Sequence, residues 1–99
     1  MSRTLVVLPR AEAELNDAAA WYADQNPSSA VKFTDTFQVA LTKLDENPLQ
    51  YQIVQGQLRR APLRGFPYGL LYVVEEQVVL VLSCFHAKRD PAQLPELPK

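Results

Sequence analysis

Ninety-nine residues with 47% hydrophobic and 21% charged side chains describe one globular domain, large enough for a hydrophobic core without covalent staples. The single cysteine, Cys84, excludes an internal disulfide framework and a multi-cysteine metal cluster. The formal charge of −1 hides an uneven distribution: residues 1–49 hold four Lys/Arg against seven Asp/Glu, residues 50–99 six against four. The basic surplus of the second half, in Arg59, Arg60, Arg64, Lys88 and Arg89, suits an acidic partner or phosphates, or a solvated sheet edge.

Arg3 to Leu8 is β-branched and apolar on both sides of a two-residue alternation, which predicts a buried strand. The opening residues are too soon interrupted by Pro9 and Arg10 for a signal peptide, and no run approaches the ~18 apolar residues of a membrane span. A soluble cytoplasmic domain is expected. Pro9 fits the first turn of a helix. Glu12, Glu14 and Asp17 favour its positive end, and Ala11, Leu15, Ala18, Ala19 and Tyr22 form an apolar stripe.

Asn26-Pro27 punctuates the chain and starts a second helix, with Ala30, Phe33, Phe37, Leu41 and Leu44 on one side. Lys32, Asp35, Gln38 and Lys43 make its polar face, and Asn47-Pro48 ends it. So short a connection predicts an antiparallel helix hairpin. Beyond Pro48 the period becomes strand-like. Tyr51 to Val54 is a short extended piece, Gly56 marks a turn, and Leu58 to Leu63 alternates with basic residues. After a turn or bulge at Gly65-Phe66-Pro67, Tyr68 to Val74 and Val78 to Phe85 form a hairpin across Glu75-Glu76-Gln77. Leu80, Leu82 and Cys84 are expected on one face of that last strand, with Val79, Val81 and Phe85 on the other. The prolines from Pro91 onward predict a loose tail over 92–99 following a single domain over 1–91.

The expected fold is therefore α+β in two layers. An N-terminal strand and a helix hairpin pack on one face of a mostly antiparallel sheet, in the order β-α-α-β-β-β.

Phosphate-binding loops, metal-binding HExxH or CxxC patterns and nucleophile elbows are missing from the sequence. Three constellations carry candidate chemistry. Arg59 and Arg60 point to opposite faces of one strand, where either can fork onto a carboxylate or phosphate. His86, followed by Lys88 and Arg89, stands where the last strand ends: a general base, or an imidazole that hydrogen-bonds backbone and pins the chain end. Cys84 lies on the same side as His86, but two ligands do not make a metal site, and no metal is expected. Trp21, off the apolar stripe of the first helix, is an exposed anchor for a partner or a cover for the hairpin edge. Cys84 itself reads as a small buried hydrophobe.

Taken in order, several segments resemble the RelE/ParE superfamily of toxins from bacterial type II toxin–antitoxin modules. They are Pro9-Arg10-Ala11-Glu12-Ala13-Glu14-Leu15, Trp21-Tyr22, Ala30 with Phe33, Leu44 with Asn47-Pro48, Leu58-Arg59-Arg60, Phe66-Pro67-Tyr68 and His86-Ala87-Lys88-Arg89-Asp90-Pro91. The chain looks closest to the ParE-like, or plasmid-stabilisation, branch. The resemblance implies a toxin neutralised by a cognate antitoxin whose C-terminal segment wraps it, without a small-molecule cofactor or a membrane. RelE-like members cut mRNA on the ribosome; several ParE-like members act on DNA gyrase and block replication. The lack of a tyrosine in the C-terminal tail and the modest basic density favour the gyrase-binding inhibitor over an enzyme. If the chain were instead an endoribonuclease, the resemblance would make His86, Arg59 and Lys88 its catalytic candidates. For a binding inhibitor, Trp21, Arg59, Arg60, Arg64, Lys88 and Arg89 would contact target or antitoxin. A non-toxic interaction module of the same fold is the remaining alternative.

Overall fold

A computed structural model describes residues 3–96; Met1, Ser2 and residues 97–99, the end of the expected tail, lie outside them. The chain runs β1 (Thr4–Val7), α1 (Pro9–Gln25), α2 (Pro27–Glu46), β2 (Ile53–Gln55), β3 (Leu58–Pro62), β4 (Tyr68–Val74) and β5 (Val78–His86), with short 3-10 turns at Pro48–Gln50 and Pro91–Gln93. Five strands in the order β1-β5-β4-β3-β2 form one sheet, antiparallel throughout except that β1 joins β5 in parallel. This is the expected two-layer α+β fold. The extended piece after Pro48 supplies a fifth strand where four were expected, a three-residue edge strand whose side chains are all exposed.

The helices are joined by one residue. The Asn26 amide donates to the Tyr22 carbonyl and closes α1, while its side-chain oxygen accepts from the Ser28 amide at 3.0 Å and caps α2. Its extended backbone, φ −167°, reverses the chain at once. The small residues Ala11 and Ala18 let α1 lie close to β5, and α2 contributes Phe33, Phe37, Ala40 and Leu44 to the same core. From the sheet come Ala61, Leu63, Leu70, Tyr72, Val79, Val81 and Cys84.

At the centre of this layer Phe33 meets Tyr22, Phe66 and Tyr68 at ring-centroid distances of 5.1, 5.1 and 5.5 Å. The contacts to Phe66 and Tyr68 are edge-on, a geometry favoured by the ring quadrupoles. The buried Tyr72 hydroxyl donates to the Pro48 carbonyl at 2.6 Å and ties the 3-10 turn to the sheet. Burial pushes that phenol up to about 12, with the charge of Arg59 acting downward and Tyr51 upward.

The other face of the sheet carries a second apolar cluster: Leu58, Leu71, Val73, Leu82 and Phe85, joined by Leu8, Leu80 and Leu94. β1 is less enclosed than its sequence suggests, because it is an edge strand covered on one side only by β5; Leu5, Val6 and Val7 are half-buried. A correction concerns β5. Leu71 pairs with Ser83 but Tyr72 with Val81, so Leu82 is an extra residue and the alternation changes phase there. Leu82 therefore joins the outer cluster with Phe85, and Cys84 turns inward with Val79 and Val81.

The segment after Pro91 is more tied down than its prolines imply. Asp90 caps the last turn by accepting from the Ala92 amide, the Gln93 carbonyl accepts from Arg10, and Leu94 packs on the outer cluster.

Phe33 is fully buried and sits where both helices meet the sheet. Phe33→Ala is expected to destabilise the fold by about 3–5 kcal/mol in urea unfolding; a change under about 1 kcal/mol would mean that the aromatic centre is not the core.

Candidate functional site

β1 hydrogen-bonds β5 only as far as Val81, whose carbonyl accepts from the Leu8 amide. Beyond that point the edge of β5 has no strand beside it, and α1 passes there instead. Glu14, from the second turn of α1, fills the gap: one carboxylate oxygen accepts from the Ser83 hydroxyl at 2.6 Å and from the Cys84 amide at 3.2 Å. The other oxygen takes Arg89 and, at 3.4 Å, Arg10. Burial works to raise the Glu14 pKa, but hydrogen bonds from Ser83 and Arg89 and the charges of Arg10 and Arg89 outweigh it, holding the carboxyl below its ordinary 4.5.

This cluster fixes the chain end. Arg89 also donates to the Gln93 side chain at 2.8 Å and lies over the Phe85 ring, 4.9 Å from its centroid. The ring of His86 meets Tyr68 edge-on at 4.9 Å, and its Nδ1 accepts from the Lys88 amide at 3.0 Å. That bond puts the proton of the neutral imidazole on Nε2 and pins the turn that follows β5. Lys88 stands exposed in that turn. Between α1 and the end of the sheet lies a cleft of about 310 Å³ lined by Glu14, Asp17, Trp21, Tyr68, His86 and Arg89, with Ala18 and Cys84 also on its walls. Acidic side chains that the sequence did not associate with His86 thus share its cleft.

The cations expected to act together are placed apart. The Arg59 guanidinium donates to the Tyr51 carbonyl at 2.6 Å and to the Leu49 carbonyl at 3.3 Å, holding the segment between α2 and β2. Arg59 stands opposite Tyr72 and His86 opposite Tyr68. They are thus separated by about 13 Å along β4 and about 10 Å across the sheet, with core side chains between. Arg60 points to the outer face, where its side chain crosses Gly69 so closely that a Cβ there would lie 2.5 Å from Nε. Arg64 lines a separate groove of about 290 Å³ with Asp35, Val39, Lys43, Tyr51 and Pro62. Val39 on that groove is exposed, as is Val31 two turns earlier on α2. Leu49, Ile53 and Val54 in and before β2 are exposed too, and Leu49 and Ile53 line a different groove with Arg3, Arg59 and Val74. Trp21 is 57% exposed, with one side of its indole against Tyr22 at 5.1 Å.

Residues 5–91 match the family model described as the ParE toxin of the type II toxin–antitoxin system parDE. The chain belongs to the ParE toxin family. It is the toxin component of a type II toxin–antitoxin system, and its partner is a cognate antitoxin. No curated protein sequence matches this ParE-family toxin. Among solved structures it is similar to a chain of the chromosomal ParDE toxin–antitoxin system from P. aeruginosa, at 17% identity and a TM-score of 0.77, over 87% of this chain and 97% of that one. At that identity the likeness speaks for the fold. No helix among the described residues is long and apolar enough to cross a membrane.

Glu14, Asp17 and Tyr68 are the site residues that reading the sequence missed. One signal for Glu14 was present: Ser83, a hydroxyl inside an apolar strand, needs a partner.

Two outcomes follow from this geometry. A carboxyl depressed by folding stabilises at pH values above its unfolded value and loses that contribution as pH falls through the folded one. Glu14→Gln should therefore lower stability near neutrality by about 1–3 kcal/mol and flatten the loss of stability that the parent protein shows below pH 4.5; parallel profiles would remove Glu14 from this role. Cys84, whose thiol is pushed up to about 12 by burial and by the Glu14 charge, should stay unreactive toward an aromatic disulfide reagent at pH 8 until denaturant is added.

Proposed function

We propose that this toxin acts in the cytoplasm as a binding inhibitor of DNA gyrase, blocking replication without cutting RNA. The observation that carries this reading is the separation of the candidate nuclease groups. An RNase needs a base, an acid and a phosphate clamp around one scissile bond, within hydrogen-bond reach of it. Here Arg59 is committed to two backbone carbonyls, His86 Nδ1 to the Lys88 amide, and the two side chains stand far apart on the sheet.

The antitoxin reading has its own support. Exposed large apolar side chains stand on α2, at Val31 and Val39, and in a second place around the edge strand, at Leu49, Ile53 and Val54. The α2 side chains suit the apolar side of an amphipathic antitoxin segment, with Asp35, Lys43 and Arg64 beside Val39 to meet its charges.

Expression of the chain in bacteria without antitoxin, with replication and bulk mRNA followed together, tests the reading. Early arrest of replication with intact mRNA is expected, and His86→Ala should keep its toxicity within about twofold. Codon-phased mRNA cleavage that His86→Ala reduces by the ~10²–10⁴-fold typical of a lost acid or base would overturn it in favour of a nuclease.

A further inference from the structure

The cleft between α1 and the end of the sheet has a chemistry opposite to that of the basic half of the sequence. Its aromatic walls are Trp21, Tyr68 and His86, and a second hollow of about 260 Å³ continues past them, lined by Trp21, Tyr22, Pro67, Tyr68 and His86. Trp21, the single tryptophan of the chain, is more than half exposed although it stands beside a set of packed rings.

Of the charged side chains on its walls, the one without a partner among the described residues is acidic. Arg89 lines the cleft, but its guanidinium is paired with Glu14 and lies over Phe85. Asp17 is exposed and has no cationic partner among the described residues. On the helix, Asp17 precedes Trp21 by one turn and Asp24 follows it by one turn, so both carboxylates share its side of α1. An exposed indole bracketed by carboxylates, facing a tyrosine and an imidazole, attracts a cation by the ring quadrupole and by charge together.

We propose that this cleft receives an arginine side chain presented by a protein partner, with the guanidinium stacked on Trp21 and bonded to the Asp17 carboxylate. Arginine fits better than lysine because its planar head can stack on a ring and fork onto a carboxylate at once. The small side chains of Ala18 and Cys84 on the cleft walls leave room for the side-chain stem. The inference stands whichever target the toxin attacks, since it rests on the α1 cleft and not on the gyrase reading.

Trp21 is its own reporter. Its fluorescence in the purified protein is titrated with acetyl-triarginine amide, acetyl-trilysine amide and acetyl-triglutamate amide. A saturable change is expected with the arginine peptide, a weaker one with lysine, and none with glutamate. Asp17→Asn should weaken the arginine peptide by about tenfold, the loss of one charge-assisted contact. Asp45→Asn, an exposed carboxylate of α2 outside the cleft, should leave it unchanged. Equal weakening by both variants would reduce the effect to general charge attraction and overturn the site. So would a response to the glutamate peptide, or an arginine response that Asp17→Asn leaves intact. Circular dichroism of each variant separates a lost contact from a lost fold.

Discussion

A single carboxylate replaces a missing strand. β1 stops at Val7, and from there the edge of β5 depends on Glu14 for the partner of its Cys84 amide and its buried Ser83 hydroxyl. A buried donor left unpaired is costly, so α1 must hold one rotational setting and one height against the sheet. The same carboxylate draws in Arg89 from beyond β5. The first helix, the last strand and the chain that follows it are thus locked at one point. The placement of Asp17, Trp21 and His86 around their common cleft follows from that lock: Asp17 and Trp21 stand one and two turns beyond Glu14 on α1, and His86 lies between Cys84 and Arg89.

The rest of the molecule behaves as a scaffold with side chains committed to structure where the sequence suggested chemistry. Arg59 shows this well: its guanidinium gathers the Leu49 and Tyr51 carbonyls of the connection between α2 and β2. Arg60 covers Gly69 on the far face, and the His86 ring closes a turn. What remains free is surface: an acidic, aromatic hollow on α1 and apolar side chains on α2 and around the edge strand.

The fold was legible because its signals are local. Pro9, Asn26-Pro27 and Asn47-Pro48 mark both helices, the 3–4 spacing of Phe33, Phe37, Leu41 and Leu44 names the buried side, and the two apolar runs around Glu75–Gln77 announce the central hairpin. The extra residue at Leu82 was not legible, since an apolar run reads the same in either phase. The site was legible only in pieces. Trp21 and His86 stood out by type, yet nothing in their spacing shows that a helix and a strand so far apart in sequence bring them to one cleft. Glu14 looked like an ordinary residue of a helix's first turns, because its partners, Ser83, Cys84 and Arg89, lie at the other end of the chain.

The parallel pairing of β1 with β5 carries a consequence for when this toxin comes into being. Thr4 to Val7 find their ladder only in Val78 to Val81, so β1 waits for a strand more than seventy residues further along the chain. Contacts this distant in sequence close slowly and late. A growing chain can form the helix hairpin early, but the layer on which it rests is complete only once β5 has been synthesised. A chain cut short before residue 78 therefore lacks the strand that joins β1 to the rest of the sheet.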